Sequence, residues 1–128
     1  MKIEHLALWV KDLELMRDFY VTYFKMKSNS KYVNDKKGFS SYFLSFKGGA
    51  RIELMHRPDI LQHPGGKGMM NGLAHFAISV GDKDKVDQLT EVLRNAGFEI
   101  IGEPRTTGDG YYESVVSDPE GNHIELTE

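Results

Sequence analysis

The chain of 128 residues is long enough to bury one core and too short for two independent domains, so a single domain over 1–128 is expected. Lys and Arg number 16 against 19 Asp and Glu, a net charge of −3 with no basic run. That balance gives no support to a nucleic-acid or membrane-surface partner and points to a small molecule. There is no cysteine for a disulfide, a thiolate metal site or a nucleophile, and no apolar signal segment or bilayer-length run, so the expected location is the cytoplasm.

Ile3 to Val10 alternates as a strand does. Asp12 then caps a helix whose Leu13, Met16, Phe19, Tyr20, Tyr23 and Phe24 recur at three- and four-residue intervals and form one apolar face. Lys31–Asn34 and Phe39–Phe46 read as short strands around the polar turn Asp35–Gly38, and a glycine turn at 47–50 leads into a strand carrying Glu53. This first module, about 1–56, is strand, helix, strand, strand, strand. Residues 57–72, rich in Pro and Gly, read as a solvated linker, with reach of its basic residues and His63 to a pocket as the alternative. The second module, about 73–128, repeats the plan. Its strand Leu73–Val80 precedes a helix capped by Asp82 and ended by Gly97, followed by a strand at Phe98–Gly102 and a loop at Thr106–Gly110. A strand at Tyr111–Ser117, a tight turn at Asp118–Asn122 and a closing strand at His123–Thr127 complete it.

The two openings are copies. His5, Ala7, Val10 and Asp12 recur as His75, Ala77, Val80 and Asp82, while Gly49, Ile52, Glu53 and Leu54 recur as Gly121, Ile124, Glu125 and Leu126. Residues two apart on a strand share a face. Leu6, Leu8 and Val10, with Phe76, Ile78 and Val80, are therefore the face to be covered, and His5, Ala7, Trp9, His75, Ala77 and Ser79 face the other way. By the same parity Glu53 and Glu125 oppose the greasy Ile52, Leu54, Ile124 and Leu126. If the halves pair, two His and two Glu point into one concavity. Two imidazoles and two carboxylates are a ligand set for a divalent ion with positions left open for substrate. Without an ion, carboxylates about 4 Å apart repel by roughly 4 kcal/mol at an effective dielectric near 20.

These residues resemble the vicinal oxygen chelate superfamily, which pairs two βαβββ modules. The resemblance rests on Ile3-Glu4-His5-Leu6-Ala7, Arg17-Asp18-Phe19-Tyr20, Arg51-Ile52-Glu53-Leu54, Leu73-Ala74-His75-Phe76-Ala77 and, most specifically, the run from Asp118 to Leu126. It implies an α+β fold and, by similarity to short glyoxalase I chains, His5, Glu53, His75 and Glu125 as metal ligands in a homodimer. The implied metal is Ni²⁺, Co²⁺ or Zn²⁺, with Mn²⁺ or Fe²⁺ as further choices. A fourth ligand at Glu53 favours glyoxalase-like chemistry, since fosfomycin-resistance and dioxygenase members use two His and one Glu. The implied reaction isomerises a thiol–methylglyoxal hemithioacetal to a hydroxyacyl thioester, with Glu125, and Glu53 as its counterpart, as catalytic carboxylates. Glutathione-using members carry Arg and Asn where this chain has Trp9 and Arg57, which become the expected substrate-binding residues. The alternatives are another metal enzyme of the superfamily, opening an epoxide or epimerising an acyl-CoA, and a metal-free drug-binding protein stacking its ligand on Trp9, Tyr111 and Tyr112.

Overall fold

A computed structural model of the chain describes residues 1–62 and 65–128; the expectation for His63 lies outside them. The chain divides into two compact units, Met1–Gln62 and His63–Glu128. Each is a mixed sheet under one helix, in βαβββ order in the second unit and with one further short strand in the first. Among the described residues no helix is long and apolar enough to cross a membrane.

In the first unit β1 (His5–Trp9) leads to α1 (Leu13–Phe24). The Asp12 carboxylate accepts from the Leu15 amide at 2.9 Å and so caps the helix as its sequence position predicts. Two short strands follow, β2 (Lys27–Ser28) and β3 (Tyr32–Asn34), then a 3₁₀ turn at Asp35–Lys37, β4 (Phe39–Ser45) and β5 (Arg51–His56). The sheet order is β1-β5-β4-β2, with β3 also on β4. β1 runs parallel to β5 and the other pairs are antiparallel. Met16 and Tyr20 of α1 are fully buried, with Leu44 and Leu54 of the sheet. β2 was not foreseen, because two residues carry no periodicity; it pairs with Ser45 and Leu44, and Asn29 beside it accepts from the Phe43 amide.

The second unit repeats this with β6 (Phe76–Ser79), α2 (Lys83–Asn95), β7 (Ile100–Thr106), β8 (Tyr112–Ser117) and β9 (His123–Thr127). The order is β6-β9-β8-β7, with β6 parallel to β9. Val86 and Leu93 of α2 are buried with Val116, Ile124 and Leu126, and Thr90 shares a buried 2.7 Å hydrogen bond with Ser114. The helix ends into Gly97 at φ +88°, the left-handed conformation that its position predicts. At the end of α1 the same conformation falls to Lys25.

Several strand ends differ from expectation by a residue or two, and β6 and β7 differ most. β6 begins at Phe76, so His75 stands one residue before the strand instead of on it. Gly68 packs closely here: a Cβ on it would stand 3.0 Å from the Ala74 carbonyl oxygen and collide with the His123 ring. β7 runs later, through Pro104 to Thr106, because it is an edge strand with two register shifts against β8, where a missing amide costs no ladder bond.

The turn into β9 is held by one side chain. Buried Asp118 accepts from the amides of Glu120 and Asn122 at 3.0 and 2.8 Å and from the Asn122 side-chain amide at 2.6 Å. Asp118→Ala is expected to lower the urea-unfolding free energy by about 2–3 kcal/mol, the cost of stranding donors that a buried carboxylate satisfied. A loss under about 1 kcal/mol would show that water replaces it.

Candidate functional site

Strand parity sorts the two faces of each sheet as expected. Leu8, Val10, Ile52 and Leu54 are buried on the helix side, whereas His5, Ala7 and Trp9 are exposed on the other. Phe76, Ile78, Ile124 and Leu126 repeat the buried set in the second unit. Ala7 pairs with Glu53 and Ala77 with Glu125, so each Glu stands beside the same kind of residue, two positions after a His.

The expected ligands come together in two pairs, one in each unit. His5 Nε2 lies 3.7 Å from Glu53 Oε2, and His75 Nε2 lies 3.2 Å from Glu125 Oε2. Both carboxylates are largely covered, with side chains 15% and 17% exposed, while the imidazoles are about two-fifths exposed. Two donors each about 2.1 Å from one ion, at angles between right and tetrahedral, stand roughly 3.0–3.4 Å apart. The His75–Glu125 spacing falls within that range and the His5–Glu53 spacing just outside it, and neutral nitrogen plus carboxylate oxygen suits Ni²⁺, Co²⁺ or Zn²⁺. Among the described residues no three or more His, Asp or Glu stand together as a metal cluster.

The surroundings of the pairs are unequal. The His5 ring meets the edge of Phe43 at 5.4 Å and 88°, and its Nδ1 lies 2.5 Å from Glu4. Glu125 has a second carboxylate beside it, that of Glu113, which Arg105 approaches to 3.2 Å. Burial, then the Glu113 charge, push the Glu125 carboxyl above the usual carboxylate range, against the pull of His75. Glu4 and Glu113 were missed by sequence reasoning. Parity on β8 was the available signal for Glu113, since Val115 pairs with Glu125 and Glu113 shares its face.

Trp9 lies at the far end of β1, 41% exposed and edge-on to Phe39 at 6.2 Å, with Tyr32 behind Phe39 at 6.0 Å. Strand β5 stops at His56, one residue short of Arg57, whose guanidinium is bound to Asp59 at 2.9 and 2.5 Å. Tyr111 is exposed just before β8, and the Tyr112 hydroxyl donates to Asp87 at 2.8 Å.

Comparison with known proteins gives the chain a family setting. The model of the glyoxalase/bleomycin resistance protein/dioxygenase superfamily matches residues 2–126. The chain is 28% identical over 127 residues to the uncharacterized protein YqjT of Bacillus subtilis, covering 97% of this chain and 96% of that protein. Among solved structures it is similar to glyoxalase I from Zea mays, with 27% identity and a TM-score of 0.80, over 98% of this chain but only 44% of the maize protein. The trypanothione-dependent glyoxalase I of Leishmania major is 24% identical with a TM-score of 0.80, over 100% of this chain and 86% of that one, a likeness of fold.

The environment of Glu125 makes a pH prediction. A carboxyl whose folded pKa is raised adds stability below its unfolded pKa, and that contribution is lost as pH rises through the folded value. In metal-free protein, Glu113→Gln is expected to bring the Glu125 carboxyl ¹³C titration down toward the ordinary range and to raise stability at neutral pH. An unmoved titration would show that burial alone sets it.

Proposed function

The chain belongs to the glyoxalase/bleomycin resistance protein/dioxygenase superfamily, and from that membership we propose that it is a metal-dependent isomerase of the glyoxalase I type. One observation carries the reading: each unit presents a His and a mostly covered Glu, 3.7 and 3.2 Å apart, at repeat-equivalent places. A surface that only sequestered a planar drug has no need of two such pairs. The proposed substrate is the hemithioacetal of methylglyoxal or a related α-ketoaldehyde with a low-molecular-weight thiol, and the protein is proposed to act as a cytoplasmic homodimer.

His5, Glu53, His75 and Glu125 are the proposed ligands. When bound, a divalent ion polarises the substrate oxygens and stabilises negative charge on them. Glu125 moves the proton: its carboxylate takes the C1 proton and returns it at C2, with Glu53 as its counterpart in the other unit. The raised proton affinity of Glu125 suits a general base. One C–H bond breaks and another forms, so the isomerisation consumes no oxidant or reductant.

Trp9 and Arg57 are assigned to the thiol. Trp9 shares the His5 face four residues further on, about 13 Å along the strand. A three-carbon ketoaldehyde does not span that distance, and the body of a thiol cosubstrate does. The Trp9, Phe39 and Tyr32 rings offer it apolar contact, with the Arg57–Asp59 pair beyond the strand end.

Ni²⁺, Co²⁺ or Zn²⁺ at a hundred times its dissociation constant is expected to raise the unfolding free energy by about 2.7 kcal/mol, and His75→Ala to abolish the gain. Stability indifferent to every one of these metals would sink the metal-dependent reading. In a thioester-forming assay with methylglyoxal and a panel of thiols, Glu125→Gln should lower kcat by at least about 100-fold while metal analysis shows the ion retained. Full turnover in that variant would remove Glu125 from the proton path.

A further inference from the structure

The two histidines differ in what stands behind them. At His5 four side chains close a ring. Glu4 Oε2 lies 2.5 Å from His5 Nδ1, and its other oxygen, Oε1, lies 2.6 Å from Arg51 Nη2. The Arg51 guanidinium lies over the Phe43 ring, 4.1 Å from its centroid, and that ring meets His5 edge-on. The backbone sets the arrangement: His5 is the ladder partner of Arg51, and the Arg51 amide donates to the Glu4 carbonyl at 2.9 Å.

A carboxylate at Nδ1 has a chemical consequence. Neutral imidazole carries one proton, and an acceptor-only neighbour at Nδ1 holds it there. The lone pair then resides on Nε2, the nitrogen that faces Glu53. Arg51 holds the other oxygen of the same carboxylate and so fixes it against the His5 ring. At the equivalent places the second unit has Ala74 for Glu4 and His123 for Arg51. Exposed ion pairs add little to stability, and Glu4 is 56% exposed. A purely stabilising role therefore accounts poorly for a ring built around one imidazole.

We propose that Glu4, held in place by Arg51, is a positioning residue that selects the Nδ1–H tautomer of His5 and presents its Nε2 lone pair, making His5 the stronger donor of the two histidines. This role rests on the metal-binding reading above. The loss of such an outer partner weakens metal binding by about 10–100-fold.

The test uses full-length protein in two measurements. Ring ¹⁵N spectra of the metal-free protein should show His5 as the Nδ1–H tautomer, shifted toward a mixture in Glu4→Ala and less so in Glu4→Gln, with His75 unchanged in both. Calorimetric titration with Co²⁺ should show an affinity about 10–100-fold lower in Glu4→Ala. An Nε2–H tautomer in the wild type, or Co²⁺ affinity unchanged in Glu4→Ala, overturns the positioning role and leaves the metal site standing. Wild-type protein that binds no Co²⁺, Ni²⁺ or Zn²⁺ overturns the metal reading itself. Glu4 lies outside the core, so its variants keep the fold against which both results are read.

Discussion

The parallel pairing of the first and last strand in each unit is the constraint on which the site depends. Helix α1 returns the chain so that β5 lies beside β1 in the same direction, and α2 does the same for β9 beside β6. Side chains alternate, so a slip of one residue would carry Glu53 or Glu125 into the core and Ile52 or Ile124 into solvent. The buried Leu8, Ile52 and Leu54, with Ile78, Ile124 and Leu126, oppose any such slip. Placement of the His–Glu pairs is thus a by-product of hydrophobic register.

That register explains why one plan is built twice with different peripheries. The core positions have little freedom, so the Ile-Glu-Leu run survives in both closing strands, while the residues around it have diverged. In the first unit an arginine and a glutamate brace the imidazole and a phenylalanine meets its edge. In the second, an extra carboxylate crowds the glutamate, and Gly68 packs against His123 in the place that corresponds to Arg51. The two His–Glu pairs are in this way given unequal electrostatics.

The surface beyond the pairs is aromatic. Trp9 stands edge-on to Phe39, and Tyr32 is tilted against Phe39, while Arg57, beyond the strand end, is already bound to Asp59. Flat apolar contact sorts ligands by shape more than by charge.

Much of this was readable without coordinates. Alternation in Ile3–Val10, the Asp12 and Asp82 caps, Gly97 and the His/Glu repeat determined the βαβββ plan and the face on which the four chemical residues lie, because hydrophobic period and capping are local properties. Boundaries were less legible: β6 starts only at Phe76, and β7 runs on to Thr106 as an edge strand. Tertiary structure alone decided which side chains meet. Nothing in the order of residues brings Arg51 to Glu4 or Glu113 to Glu125. Those contacts exist because ladders join strands that are remote along the chain, and their strength depends on distances and burial that only the folded sheet defines.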